Sequence, residues 1–212
     1  MKLYFSPLAT SMATRISLYE AGVPATFVEV DTRARRTHDG GDYTPIHPLG
    51  MVPTLLTDGG ELLLENIAIL LHVAESHPEA GLIPVDPVER SRLHRWLAFV
   101  GTEIHKAIFF EWFDRSAPDA VKAHAVERCG PRFAFLEQHL AEREFLLDRF
   151  SVADAYLVTL LNTCPATPIK LSQWPVLKAY YARLRERPSV AKAISEELPL
   201  YLAAQARLQA AR

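Results

Sequence analysis

The strongest constraint on the fold is a break in the sequence pattern between residues 77 and 87. This segment contains three prolines and one glycine, which interrupt both the helical and the strand period. Before the break, strand-like and helix-like segments alternate, whereas every segment after it has helical periodicity. The sequence therefore predicts a mixed α/β domain over residues 1–77, a linker over 78–87 and an all-helical domain over 88–212.

The first domain has the predicted order βαβ followed by ββα. The stretch from residue 33 to residue 42 is polar and basic, and it indicates a loop with a short helix. A hairpin is predicted around Asp58-Gly59-Gly60. The predicted strands cover residues 2–5, 26–30, 54–57 and 61–64, and the predicted helices cover 12–21, closed by Gly22, and 66–76.

The second domain contains five predicted helices. Ser151 and Asp154 have the spacing of a capping box, which marks the start of one of them and concerns folding rather than chemistry. The segment after Leu200 is a further helix candidate, rich in alanine. The five helices cover residues 88–113, 119–143, 152–163, 176–187 and 190–197.

Composition indicates a folded soluble protein. Apolar residues make up 49% of the chain and charged residues 23%, values typical of globular domains. Lys and Arg total 23 against 25 for Asp and Glu, a net charge of −2 that offers no field for nucleic acid. No apolar run reaches the roughly 20 residues of a membrane span, and the N-terminus predicts a strand rather than a signal peptide. We expect a cytoplasmic protein.

The cysteines and histidines predict neither a disulfide framework nor a metal site. The two cysteines, Cys129 and Cys164, fall within helical patterns and are expected to be buried and reduced. None of the eight histidines has the spacing typical of metal ligands.

Six short motifs occur in order along the chain, at residues 1–7, 52–53, 65–69, 102–106, 150–156 and 174–188. Together they resemble the bacterial cytosolic glutathione transferases, most closely their beta class. The resemblance implies a thioredoxin-like α/β domain followed by an α-helical bundle. It also implies glutathione as co-substrate, a hydrophobic small-molecule electrophile, a role in detoxification and a homodimer.

Catalysis by such an enzyme requires the glutathione thiolate, because the thiolate is the nucleophile. Lowering a thiol pKa from about 8.5 to about 6.5 requires roughly 2.7 kcal/mol. One hydrogen bond to a charged group contributes about 1.5–3 kcal/mol, and a helix N-terminus about 0.3–1 kcal/mol. Thr10 and Ser11 precede the first helix and are the catalytic candidates; the alternative is that one of them is only a helix cap.

The resemblance sharpens the choice between these two hydroxyls. Beta-class members usually carry cysteine where this chain has Thr10, so mixed-disulfide chemistry at that position is excluded. Ser11 matches a serine that the family often has, and it is marginally preferred over Thr10 as the thiolate donor.

Further residues are candidates for binding glutathione. The resemblance implies a cis bond between Val52 and Pro53, with the Val52 backbone ready to pair with a bound peptide; an ordinary trans turn is the alternative. Glu65 and Asn66 stand at a predicted helix start that suits the γ-glutamyl end, although Asn66 could be a plain cap. Arg35 is a candidate contact for the glycyl carboxylate or, equally, part of a solvated basic loop.

The second domain adds Thr102, Glu103 and His105 as contacts implied by the resemblance, with Thr102 and His105 expected to face a cleft between the domains. An isolated histidine on a helix is otherwise usually structural. The sequence departs from the family at Leu49 and Met51, which replace a usual lysine and glutamine. Losing one or two contacts of about 1–1.5 kcal/mol each would weaken glutathione binding by roughly ten- to a hundredfold.

Three functions follow from this pattern. The leading hypothesis is an enzyme that conjugates glutathione to an electrophile. A glutathione-dependent isomerase or disulfide reductase would use the same thiolate but release the free thiol. A third possibility, motivated by Leu49 and Met51, is a non-catalytic binding or scaffold protein, since a fold does not determine a function. Aromatic residues 109, 110, 112 and 113 indicate a hydrophobic pocket, a core or a dimer interface.

Overall fold

The computed structural model describes residues 1–210. These residues form two compact units: residues 1–80 together with residues 187–210, and residues 81–186. The predicted helical domain began at residue 88 and included the C-terminus. The structure instead groups the last helix with the first unit, because that helix packs against the first helix of the chain.

The first unit contains a mixed five-stranded sheet. Its strands are β1 (Lys2–Phe5), β2 (Thr26–Asp31), β3 (Arg36–Thr37), β4 (Thr54–Leu56) and β5 (Leu62–Leu63). The order across the sheet is β3-β2-β1-β4-β5. β1 runs parallel to β2 and antiparallel to β4, and β3 and β5 add antiparallel strands at the two edges. This arrangement confirms the predicted α/β architecture.

Three helices complete the first unit: α1 (Ser11–Glu20), α2 (Asn66–Ser76) and, at the C-terminus, α8 (Pro188–Ala210). A single 3₁₀ turn, Pro78–Ala80, follows α2. Burial of apolar side chains from the sheet, α1 and α2 in one cluster stabilises the unit. The members of this cluster are Leu3, Phe5, Leu18, Leu55, Ile69 and Val73.

Helices are the regular secondary structure of the second unit, residues 81–186. It consists of α3 (Pro87–Phe99), a π-helical segment (Val100–Phe110), α4 (Glu111–Phe113), α5 (Asp119–Leu140), α6 (Val152–Leu161) and α7 (Pro175–Arg185), with 3₁₀ turns at Cys164–Ala166 and Leu171–Gln173. All ten residues of α6 are buried. A helix that is buried on every side lies in the centre of a bundle, and the predicted all-helical class is confirmed.

Two local predictions were wrong. The stretch 33–42 contains β3 rather than a short helix, because Arg36 and Thr37 pair with Asp31 and Val30 of β2. The separate helices predicted at 190–197 and after Leu200 form the single helix α8, which continues through Pro199. Proline removes one helical hydrogen bond. We expected the helix to end before Pro199, but α8 continues through it.

Candidate active site

The sheet topology brings the predicted binding segments of the first unit to one edge. β1 is parallel to β2 and antiparallel to β4, and β4 is antiparallel to β5. The ends of β1, β2 and β5 therefore lie at the same edge of the sheet as the start of β4, where Thr54 pairs with Tyr4. The segments that follow or precede these strand ends carry Thr10, Arg35, Val52 and Asn66.

The two candidate catalytic hydroxyls have different surroundings. Ser11 is fully buried, and its Oγ donates to the Ser6 carbonyl at 3.2 Å and accepts from the Ser6 amide at 3.3 Å. Thr10 is half-buried at the cap position of α1, and its hydroxyl makes no hydrogen bond to any residue within 1–210. The geometry therefore favours Thr10 as a donor to a ligand, which reverses the preference for Ser11 drawn from the sequence.

The turn before Thr10 is held by a buried carboxylate from α8. The Leu8 amide donates to the Glu197 carboxylate at 2.7 Å, and Leu8 has a left-handed φ of 57°. Glu197 is fully buried and pairs with Arg15 at 2.7 Å. Burial raises the pKa of Glu197 to about 7, against the opposing effect of Arg15. These contacts fix the turn at whose end the Thr10 hydroxyl lies.

The bond between Val52 and Pro53 is cis, as the resemblance implied. No hydrogen bond within residues 1–210 involves the N–H or C=O of Val52. Beneath this segment, the hydroxyl of buried Tyr43 donates to the Met51 carbonyl at 2.9 Å and lies 2.7 Å from Thr54 Oγ1. The Val52 backbone thus has the free donor and acceptor that pairing with an extended peptide requires.

The start of α2 presents polar groups of two kinds. Asn66 is 8% exposed; its Oδ1 accepts from the Thr14 hydroxyl at 3.3 Å, and its Nδ2 has no partner among the described residues. Glu65 is exposed, makes no ion pair within the described chain and has a φ of 67°. A helix N-terminus with an unpaired amide donor attracts an anion, and the exposed carboxylate of Glu65 suits an ammonium group.

Arg35 lies beside the loop that leads to Val52. A Cβ added at Gly50 would lie 2.9 Å from Arg35 Cγ, so the arginine stem crosses this glycine. Arg35 is exposed and forms no ion pair with residues 1–210. Leu49 and Met51 are 70% and 38% exposed, and they give the same rim an apolar surface.

Left-handed backbone conformation marks this edge of the first unit. Within residues 1–210, the non-glycine residues with positive φ are Leu8, Arg35 and Glu65. Such conformations are unfavourable for side chains larger than glycine, and they cluster at functional sites. Each one lies within two residues of a predicted site residue or is one itself, which supports a common site.

Comparison with known proteins supports the same reading. Residues 1–75 match the glutathione S-transferase N-terminal domain and residues 95–188 the C-terminal domain. The chain is 35% identical to the glutathione S-transferase GstA of Escherichia coli O157:H7, over 93% of this chain and 98% of that protein. The chain belongs to the glutathione S-transferase family. Membership confirms the predicted fold and the predicted class of enzyme.

Solved structures of this family include two with high similarity. A sphingomonad glutathione S-transferase complexed with glutathione has a TM-score of 0.88 and 40% identity, covering 93% of this chain and 98% of that one. A beta-class glutathione S-transferase from Sphingomonas chungbukensis has a TM-score of 0.89 and 40% identity with the same coverage. The resemblance to bacterial beta-class glutathione transferases is confirmed.

In the second unit, the three side chains predicted to contact the ligand each have a partner within the protein. The Thr102 hydroxyl donates to the Ala98 carbonyl at 2.9 Å, and Glu103 pairs with Arg132. His105 Nδ1 lies 2.8 Å from the Tyr156 hydroxyl. Burial and, to a smaller extent, the positive charge of Lys106 lower the pKa of His105 to about 4. The imidazole is therefore neutral at neutral pH.

The aromatic residues near the end of the π-helical segment also divide into two groups. Phe109 is buried, and Trp112 Nε1 donates to the Ala166 carbonyl at 3.3 Å. Phe110 and Phe113 are exposed, and Lys106 Nζ lies 3.8 Å from the Phe110 ring centre. The first pair belongs to the packing of the unit, and the second pair presents apolar surface.

The two cysteines and the possible metal-ligating side chains show no arrangement that suggests a further site among the described residues. Cys129 and Cys164 are buried free thiols, and burial raises the pKa of each to about 12; both are poor nucleophiles. Among residues 1–210, no three His, Cys, Asp or Glu side chains are placed to hold a metal ion. Along the same stretch, no helix combines the length and apolar character needed to cross a bilayer.

A groove of about 910 Å³ lies away from the predicted site, where α8 packs near the start of β2. Its polar groups pair with one another: Glu20 accepts from Arg187 and Ser189, and Tyr19 donates to Glu196. The presence of this groove therefore does not identify the functional site. The unpaired groups at the other end of the sheet are the better indicator.

Sequence reasoning missed three residues that shape the site: Thr14, Tyr43 and Glu197. Thr14 contacts Asn66 from another helix, and Glu197 contacts Leu8 from a position 189 residues away in sequence. No spacing rule connects such positions. Tyr43 lies only eight residues before Met51, but its role depends on the path of the intervening loop.

Proposed function

We propose that this protein conjugates the thiolate of glutathione to a hydrophobic electrophile, with the Thr10 hydroxyl stabilising the thiolate. The observation that carries the proposal is that Thr10 has a half-buried hydroxyl without a partner in the described chain, at the start of α1. One charged hydrogen bond of about 1.5–3 kcal/mol plus a helix N-terminus of about 0.3–1 kcal/mol is close to the 2.7 kcal/mol needed for a two-unit pKa shift.

The reaction follows from this arrangement. The bound thiol loses its proton to solvent, and Thr10 donates a hydrogen bond to the resulting thiolate. The sulfur electron pair then forms a C–S bond with the electrophilic carbon, and the leaving group departs with the electron pair of its own bond. A conjugate, rather than free glutathione, is the product.

The remaining first-unit residues would hold the tripeptide. Val52 pairs with the cysteinyl backbone, and the start of α2 with Asn66 accepts the γ-glutamyl carboxylate. Glu65 faces the ammonium group, and Arg35 faces the glycyl carboxylate. Pro53 ends the segment that presents Val52. The contacts of Thr102, Glu103 and His105 with ligand stay predictions, as does the alternative that Ser11 is the thiolate donor.

The experiment begins with calorimetric titration of reduced glutathione at neutral pH, followed by turnover with a panel of electrophiles. Binding at millimolar or lower concentration with formation of a thioether supports the proposal. A product in which glutathione is regenerated would instead support isomerisation or disulfide reduction. Absence of binding would contradict the proposal.

We also propose a cytoplasmic homodimer with a role in detoxification, on the basis of the family resemblance. Exposed apolar side chains such as Phe113 and Phe135 are compatible with a protein interface. A monomer in light scattering at micromolar concentration would contradict the dimer.

A further inference from the structure

Tyr43 connects the two ends of the segment that carries Val52. Its hydroxyl donates to the Met51 carbonyl at 2.9 Å and lies 2.7 Å from Thr54 Oγ1. A tyrosine hydroxyl has one proton, which is used toward Met51, so the Thr54 hydroxyl donates to Tyr43. Tyr43 and Thr54 are both fully buried, so the two hydroxyl groups are shielded from solvent.

The hydrogen bond from Tyr43 to the Met51 carbonyl determines the direction of the Val52 N–H. The Met51 C=O and the Val52 N–H belong to one planar peptide group, in which they point in opposite directions when the bond is trans. The only cis bond in the described part of the chain is the next one, between Val52 and Pro53. Because Tyr43 holds the Met51 oxygen toward the interior, the Val52 N–H is directed away from it.

The phenol ring itself has little freedom. Its centroid lies 5.5 Å from the Tyr4 ring and 6.3 Å from the His47 ring. It belongs to an apolar cluster with Tyr4 and Val30, against which Val52 packs. Burial raises the pKa of Tyr43 to about 12, so the hydroxyl keeps its proton across the neutral range.

We propose that Tyr43 is a positioning residue for substrate binding, whose hydroxyl aims the Val52 N–H at the backbone carbonyl of a bound peptide thiol. This inference rests on the proposed function, because the peptide is the glutathione of that reaction. The contact acts on the peptide backbone and not on the sulfur. It therefore contributes to binding of the tripeptide rather than to the chemical step.

The test is Tyr43→Phe, which removes the hydroxyl and keeps the ring. Tyr4→Phe is the matched control, since the Tyr4 ring is its neighbour and the Tyr4 hydroxyl makes no hydrogen bond to residues 1–210. We expect Tyr43→Phe to raise the glutathione KM about three- to tenfold, with kcat within about twofold of wild type. Tyr4→Phe should leave both constants within about twofold. Thermal unfolding of each variant records any loss of stability.

A ligand analogue separates positioning from general destabilisation. Replacing the Cys-Gly peptide bond of glutathione by an alkene removes the carbonyl that Val52 N–H would contact. Wild type and Tyr4→Phe should lose affinity for this analogue by the same factor, whereas Tyr43→Phe should lose at least threefold less.

The outcomes distinguish this inference from the proposed function. Equal losses in Tyr43→Phe and wild type, or an unchanged KM in Tyr43→Phe, overturn the positioning role and leave the proposed function intact. Failure of the wild-type protein to bind glutathione overturns both.

Discussion

The helix starts at Thr10 and Ser151 use hydroxyl residues in opposite ways. At the start of α6, the Asp154 carboxylate accepts hydrogen bonds from the amides of Ser151 and Leu146 and from the Tyr180 hydroxyl, all within 2.9 Å. At the start of α1, the Thr10 side chain caps nothing and its hydroxyl has no partner in residues 1–210. The first arrangement is complete without a ligand, and the second is not.

This difference distinguishes polar groups that serve folding from polar groups that are candidates for substrate binding. A buried polar group without a partner costs about 1–3 kcal/mol, so proteins satisfy such groups internally wherever folding alone is served. The groups left unpaired at the site edge, which include the Asn66 Nδ2 and the Thr10 hydroxyl, are therefore candidates for contact with substrate. Variants at the two helix starts test this contrast.

Asp154→Ala gives the largest expected effect. Removing a fully buried acceptor leaves several donors unpaired and should lower the free energy of unfolding by about 3–5 kcal/mol. Chemical denaturation measures this loss. Ser151→Ala, which keeps the carboxylate, should cost only about 1 kcal/mol. A loss below 1 kcal/mol in Asp154→Ala would break the comparison.

Glu197 tests how firmly the turn before Thr10 is held. Its pKa of about 7 lies above the ordinary value for glutamate. A group whose pKa is higher in the folded protein contributes stability that is fully present when the pH is below its unfolded pKa, about 4.3 for glutamate. This contribution is lost as the pH rises from there through 7. The wild-type free energy of unfolding should therefore fall by at most about 3 kcal/mol between pH 4.5 and pH 7.5.

Glu197→Gln provides the control for this pH dependence. The amide has no charge to gain, so the difference between wild type and variant should vary across that pH interval, as measured by denaturation at several pH values. Equal slopes in the two proteins would show that another group is responsible.

Thr10→Val should lower kcat/KM by about ten- to a hundredfold, because it removes one charged hydrogen bond of about 1.5–3 kcal/mol. The free energy of unfolding should stay within about 0.5 kcal/mol of wild type. Thr10→Ser keeps the hydroxyl and should retain most of the activity. The pKa of bound glutathione, read from thiolate absorbance, should rise in the valine variant alone.

Ser11→Ala completes this comparison of neighbouring hydroxyls. Because the Ser11 hydroxyl is bonded to Ser6, its loss should reduce stability by about 1 kcal/mol and leave the thiol pKa unchanged. A raised thiol pKa in Ser11→Ala, with Thr10→Val unaffected, would return the donor role to Ser11.

The double variant Leu49→Lys, Met51→Gln has the smallest expected effect. It restores the residue types usual in the family at an exposed rim beside Arg35. One regained contact of about 1 kcal/mol would lower the glutathione dissociation constant about fivefold in calorimetry. Weaker binding in the variant would indicate that the apolar rim is itself part of the ligand site.

Much of the fold was predictable because periodicity and turn residues act locally. The helix predicted at 66–76 agrees with α2, and the hairpin around Gly59 agrees with β4 and β5. The β3 strand was missed because two residues leave no period to detect. The continuation of α8 through Pro199 was missed because packing outweighs the loss of one hydrogen bond.

The candidate site was only partly predictable. The motifs identified Val52 and Asn66 as candidates, and the predicted start of the first helix identified Thr10. The topology places the segments that carry them at one edge of the sheet. The order of preference between Thr10 and Ser11 depended on which hydroxyl the Ser6 backbone would occupy. Nothing in the spacing of the two residues contains that information.

The sequence by itself determined the type of each domain, the family and the residue types available for thiolate chemistry, because these depend on short-range patterns and on motifs. The tertiary structure decided which polar groups are satisfied and which stay free, such as Tyr43 with Met51 and Glu197 with Leu8. Satisfaction of a buried polar group depends on atoms brought within about 3 Å by the path of the whole chain, and a local pattern does not contain that path.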